Sequence, residues 1–181
     1  MASFDPSCMP ELSLGAEIKF SPDIINLDLK KLTLCNGDYI LLELDDLVYP
    51  PHIRAIVSEL SFLGFLPVLA HVERCLYFRK TPYLLAELIS KGALAHVTAE
   101  NITAKYDKGF CRAALNKGYA HIVASDTHDL VHRRPNLARK LDAIHKDLSL
   151  NAEYIARCIW DNETVFPCQC EKIVKRFGCY Y

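Results

Sequence analysis

No apolar run in this 181-residue sequence approaches the ~20 residues that span a bilayer, so membrane insertion is not expected. Neither sign of charge is in excess. The 21 Lys and Arg are balanced by 22 Asp and Glu, for a net charge of −1, which argues against a nucleic-acid module. The start, MASFDPSCMPELS, has neither a basic region nor an apolar stretch and does not read as a signal peptide. A reducing, cytoplasmic location is therefore expected, with the eight cysteines as free thiols. Cys158, Cys168, Cys170 and Cys179 gather towards the C-terminus, but not at the spacing of a zinc knuckle. Nucleotide binding lacks support, because neither GxxxxGK[ST] nor GxGxxG occurs, and a serine hydrolase lacks its G-x-S-x-G. Cys170 and Arg176 have the spacing of a cysteine-phosphatase loop. The EKIVK between them has no glycine to let backbone amides wrap a phosphate.

What is present is a globular composition, 51% apolar and 24% charged, sized for one domain with a real core. Strand and helix patterns alternate. Strands are expected over 12–18, 38–44, 66–70, 93–98 and 119–125. Between them, 51–64 carries Ile53, Ile56, Val57, Leu60 and Leu63 on one helical face, with Gly64 as its stop. A second helix is expected from a Thr81 cap and Pro82 to Gly92, and a third over 109–117. Helices follow over 136–148 and 151–161, the latter capped by Asn151. The fold class is α/β, with a parallel sheet and crossover helices. No firm structure is expected after Phe166.

Parallel βα proteins carry their chemistry at the C-terminal ends of strands. Here LPVLA is followed by His71, Glu73 and Arg74, and YAHIVAS by Asp126 and His128. Glu17 lies in the apolar-flanked GAEIKF. Singly, each has an ordinary reading: a hydrogen-bonded histidine, a turn-capping aspartate, a solvated glutamate. Jointly, three strand ends with ligand-type residues suit a hard or borderline divalent metal, and a neighbouring arginine suits a bidentate phosphate contact. His96 and His121 lie within strands and read as structural. His52 and His145 lie on helices without a partner at ligand spacing, and His132 sits beside Arg133 and Arg134 in a loop.

AHVER and SDTHD, in this order, resemble the AHPER and SDAHN signatures of the PHP-type bacterial tyrosine-protein phosphatases. These are manganese-dependent enzymes linked to capsule and exopolysaccharide synthesis. GAEIKF, YILLEL, RRPNL and NAEYIARCIWDNETVF follow in family order, so the likeness runs over about residues 12–166. It implies a TIM-like barrel, of which this sequence holds a part, since the family's leading D-x-H-x-H strand does not occur in it. It implies a PHP domain over 1–166 and a cysteine-containing tail over 167–181. Glu17, His71, Asp126 and His128 would be metal ligands, with manganese as the ion, and Arg74 and Arg133 would contact phosphate. The implied substrate is a phosphotyrosine protein, the tail of a tyrosine kinase. Val72 stands where the signature has proline, and Asp45 interrupts a segment that usually carries an aromatic and a proline. Two alternatives stay open: a PHP phosphoesterase for a small phosphate ester, and a non-catalytic module that binds a partner. An exposed sheet edge would favour pairing with a second chain, as in a homo-oligomer.

Overall fold

The computed structural model describes residues 11–103, 108–142, 146–167, 169–176 and 179–180. Five strands form one parallel sheet in chain order: β1 (Glu17–Lys19), β2 (Tyr39–Glu43), β3 (Leu66–Leu69), β4 (Leu94–Thr98) and β5 (Ile122–Ala124). Glu17 pairs with Leu41, Leu41 with Val68, Val68 with Leu94, and His96 with Ile122. Helix α1 (Ile53–Phe62) joins β2 to β3. Helices α2 (Leu76–Lys80) and α3 (Tyr83–Ile89) join β3 to β4, and α4 (Ala99–Thr103) and α5 (Lys108–Asn116) join β4 to β5. Helices α6 (Leu137–Leu141) and α7 (Lys146–Trp160) follow, then a small antiparallel pair, β6 (Lys175–Arg176) with β7 (Cys179–Tyr180).

Strand alternation divides the core in two. Ile40, Leu42, Leu69, Ala95, Val97 and Val123 face the larger cluster, where α1 contributes Ile53, Val57 and Leu60 and α3 contributes Leu85 and Leu88. Tyr39, Val68, Leu94 and Ile122 face the other way and pack on Ile155 and Ile159 of α7. This second face changes character along its length. Its lower part is apolar and covered by α7, whereas the same alternation carries Glu17, Glu43 and His96 towards its upper rim. Tyr39 ties the segment after α7 to the sheet. Its hydroxyl donates to the Glu163 carbonyl at 2.6 Å and accepts from the Val165 N–H at 3.1 Å.

Several expected boundaries shift. The strand expected over 12–18 shrinks to β1. Residues before it bond instead to a chain of 3-10 turns at Pro22–Asn26, Leu29–Lys31 and Leu34–Asn36, through Ala16 N–H to Leu32 O and Cys35 N–H to Leu14 O. The last strand begins only at Ile122, because the N–H groups of Tyr119 and Ala120 turn back to the Ala114 carbonyl and close α5. Gly64 and Gly118 adopt φ of +86° and +76°, the left-handed conformation that lets the chain leave α1 and α5. Thr81 does not cap α3 with its side chain, and Pro82 sits just before the helix. Asn151 is not a cap either: it lies inside α7, exposed, while Ala152, Ile155 and Ile159 form the buried stripe. His145 and Cys168 lie outside the described residues. The segment after Phe166 is structured in part. Ile173 is buried in the main core, and Tyr180 stacks edge-on against Phe110 with its hydroxyl donating to the Arg79 carbonyl at 3.0 Å.

Candidate functional site

Three donor groups come together from three strands: Glu17 on β1, Glu43 at the end of β2 and His71 just after β3. His71, the second residue after β3, lies with Nε2 2.9 Å from Glu17 Oε1 and 3.7 Å from Glu43 Oε1. One ligand atom from each of the three falls within 4.8 Å of the others. Glu17 and Glu43 are half-exposed and His71 is buried. Within this group Nε2 has carboxylates in reach, while the buried Nδ1 has no hydrogen-bond partner. Two carboxylates and an imidazole converging on one point are the donors a hard or borderline divalent cation takes, so the residues fit such an ion.

A second cluster stands at the end of β5. Asp126 is nearly buried, and its Oδ2 accepts from Nη2 of both Arg74 and Arg133. His128 Nε2 lies 3.2 Å from its Oδ1. Burial pushes the Asp126 carboxyl up, but the hydrogen bonds and charges of the two arginines outweigh it and hold the group below the usual carboxylate range. Asp129 shapes the loop that carries Arg133. Its Oδ1 accepts the N–H groups of Val131 at 2.6 Å and His132 at 2.5 Å. His71 and Asp126 have positive φ, +31° and +52°, a conformation that costs a residue with a side chain about 1–2 kcal/mol and that gathers at functional sites.

The loop from His71 to Cys75 is anchored from behind. The His71 N–H donates to His96 Nδ1 at 3.0 Å, and the Val72 N–H to the His96 carbonyl at 3.0 Å. Glu73, buried, takes the Thr98 N–H at 3.0 Å and Asn101 Nδ2 at 2.8 Å on one oxygen, binding the loop to the start of α4. His121 repeats the device one strand on, with Nδ1 accepting the Ala95 N–H at 3.1 Å. Burial, with the neighbouring His71, lowers His96 to about 4, and burial alone lowers His121 to about 4. Cys75, next to Arg74, is buried, and its thiol is pushed up to about 12, so it is no nucleophile.

All six residues singled out in the sequence thus gather at one end of the sheet, but in two groups. Glu17 and His71 form the donor cluster, and Asp126 and His128 stand with Arg74 and Arg133. The sequence reading missed Glu43. Alternation in YILLEL puts Glu43 on the face of Tyr39 and Leu41, but the pairing of Leu41 with Glu17 that brings it to His71 shows only in the structure. His96, read as structural, supports His71 directly. His52 heads α1, exposed.

A sequence profile described as "Capsular polysaccharide synthesis, CpsB/CapC" matches residues 6–166. The chain belongs to the CpsB/CapC family. The tyrosine-protein phosphatase YwqE of Bacillus subtilis is 30% identical over 178 residues, covering 92% of this chain and 70% of that protein. The tyrosine-protein phosphatase CpsB of Streptococcus pneumoniae is 29% identical over 145 residues, covering 75% of this chain and 60% of that protein. A solved structure described as YwqE and CpsB, metal-dependent tyrosine phosphatases, superposes with a TM-score of 0.81 at 29% identity. It covers 90% of this chain and 69% of that one. The five-stranded parallel sheet, open between β1 and β5 among the described residues, is consistent with a TIM-like barrel-type fold. Among the described residues, no helix is long and apolar enough to cross a membrane.

Proposed function

We propose that the protein is a divalent-metal-dependent phosphatase for phosphotyrosine in proteins, serving capsular or exopolysaccharide synthesis. One observation carries this reading. Two carboxylates and an imidazole, Glu17 on β1, Glu43 at the end of β2 and His71 after β3, meet at the loop that also carries Arg74, one of two arginines that fork onto Asp126 after β5. Family membership and the names of the relatives support it.

Glu17, Glu43 and His71 would hold an ion, with Asp126 and His128 as further donors and manganese as the metal proposed. A bound divalent ion supplies a water of lowered pKa and draws charge from phosphoryl oxygens. The remaining work falls to the chain's own residues. Arg74 and Arg133 clamp the phosphoryl oxygens with planar, bidentate forks. Both rest on Asp126, so the phosphate arrives at side chains already ordered, which lowers the entropic cost of binding. The leaving group is a phenolate with intrinsic pKa of about 10, so it departs with little acid assistance. This chemistry requires no phosphocysteine intermediate. The catalytic unit is taken as residues 1–166 with 167–181 as a cysteine-containing tail, and the substrate as the phosphorylated tail of a tyrosine kinase in the cytoplasm. The outer edge of β1, without a strand partner among the described residues, supports assembly with a second copy.

Hydrolysis by the Mn²⁺-supplemented protein separates the substrate classes. A phosphotyrosyl peptide is expected to exceed a phosphoseryl peptide and a small sugar phosphate in kcat/KM by at least about tenfold. Preference for the small ester would instead make the protein a phosphoesterase of another specificity.

A further inference from the structure

Beside the arginine pair lies a cavity that the phosphoryl chemistry leaves unused. It measures about 560 Å³ and is lined by Glu100, His132, Arg134, Asn136 and Arg139 among others. Its charge is lopsided. Glu100 is its one acid, and both carboxylate oxygens are already occupied: Oε1 takes Lys140 Nζ at 3.0 Å, and Oε2 takes Asn136 Nδ2 at 2.6 Å. Arg134 and Arg139 are exposed, and neither forms an ion pair among the described residues. Arg134 is held in place all the same, since its Nε donates to the Val131 carbonyl at 2.8 Å, which leaves the two terminal amino groups of the fork for a ligand. The cavity and the arginine pair share a wall. Arg133 of the pair lies between His132 and Arg134 in the loop that Asp129 fixes.

We propose that this cavity is a specificity subsite that receives the carboxylate of an aspartate or glutamate flanking the phosphotyrosine of the substrate. The inference rests on the phosphatase reading and deepens it. Two cationic forks without internal counter-ions, next to the place proposed for the phosphate, match an extended peptide with an acidic residue near its phosphotyrosine. The carboxylate takes the bidentate contact that guanidinium geometry prefers. The subsite raises affinity for acidic substrates and leaves the chemical step alone.

The test uses the full chain loaded with Mn²⁺ and two fluorescent peptides. Both carry a difluoromethylphosphonate mimic of phosphotyrosine, one with Glu on each side and one with Gln. By anisotropy, the Glu peptide is expected to bind about tenfold more tightly than the Gln peptide, with a preference that weakens as salt is added. In the double variant Arg134→Gln, Arg139→Gln the preference is expected to vanish, while turnover of p-nitrophenyl phosphate stays at the wild-type level. Equal affinity for the two peptides, no binding of either, or a preference that survives in the double variant would overturn the subsite. Preferential binding without turnover would keep the subsite and remove the phosphatase reading. Turnover without preferential binding would do the reverse.

Discussion

Arg74 and Arg133 converge on a single oxygen of Asp126, and their geometry makes the site sensitive to a change that keeps charge. Lysine offers one compact ammonium where arginine offers a fork, so Arg74→Lys cannot hold a phosphoryl group by two bonds. The expected result is a fall in kcat/KM of about 100-fold for a phosphotyrosyl peptide, read by steady-state kinetics. The thermal midpoint is expected to stay near wild type, since Arg74 is about a third exposed and its pair with Asp126 is partly screened by solvent. Much of this was legible at the residue level. AHVER and SDTH follow strand ends, where a parallel sheet gathers its chemistry, and the structure brings their His71, Arg74, Asp126 and His128 to one end of the sheet with Glu17 and with Arg133, which the family resemblance had supplied. Glu43 was not read, because a single acid in an apolar strand is ordinarily a solvated residue. Only the register with β1 brings it beside Glu17 and His71. The division of the residues into a donor cluster and an Asp126–arginine cluster was likewise out of reach, since it depends on where side chains meet rather than on which strand end bears them.

At the scale of elements, β3, β4 and β5 are linked by histidines that accept backbone N–H groups across strands. Both imidazoles are buried and have a pKa of about 4 in the fold, against about 6.5 when unfolded. The unfolded chain therefore binds more protons between these values, and stability falls as the pH drops from 6.5 towards 4. By pH 5 the loss is on the order of 1–2 kcal/mol per histidine, and is expected as a lower thermal midpoint than at pH 7. His121→Asn offers a carbonyl oxygen to the Ala95 N–H without titrating, so this variant is expected to show a shallower decline; an unchanged slope would remove His121 from the account. The five parallel strands and the positions of α1, α3 and α5 were readable, because strands buried on both faces read as short continuous apolar runs and helices with one buried face carry an apolar stripe. The 3-10 turns over 22–36 were not, since each closes on a few local hydrogen bonds without an apolar period. Nor was the continuity of α7 through Asn151: a good capping residue on an exposed face carries no information about whether the helix has already begun.

For the whole molecule, one sheet with two unlike halves explains why fold and site coincide. The face of the sheet that α7 seals with Ile155 and Ile159 carries Glu17, Glu43 and His96 nearer its rim. That juxtaposition of a packed floor and a polar rim makes the donors rigid without burying them completely. The central claim is that phosphotyrosine hydrolysis depends on a divalent ion held by Glu17, Glu43 and His71. The direct measurement is the rate of phosphotyrosyl-peptide hydrolysis as Mn²⁺ is titrated into chelator-treated protein. A saturable rise from a negligible baseline is expected for the wild type, and Glu43→Gln is expected to shift the half-maximal Mn²⁺ concentration upward about 10–100-fold. A rate that is the same with and without metal, or a Glu43→Gln titration superimposable on the wild type, would contradict the account.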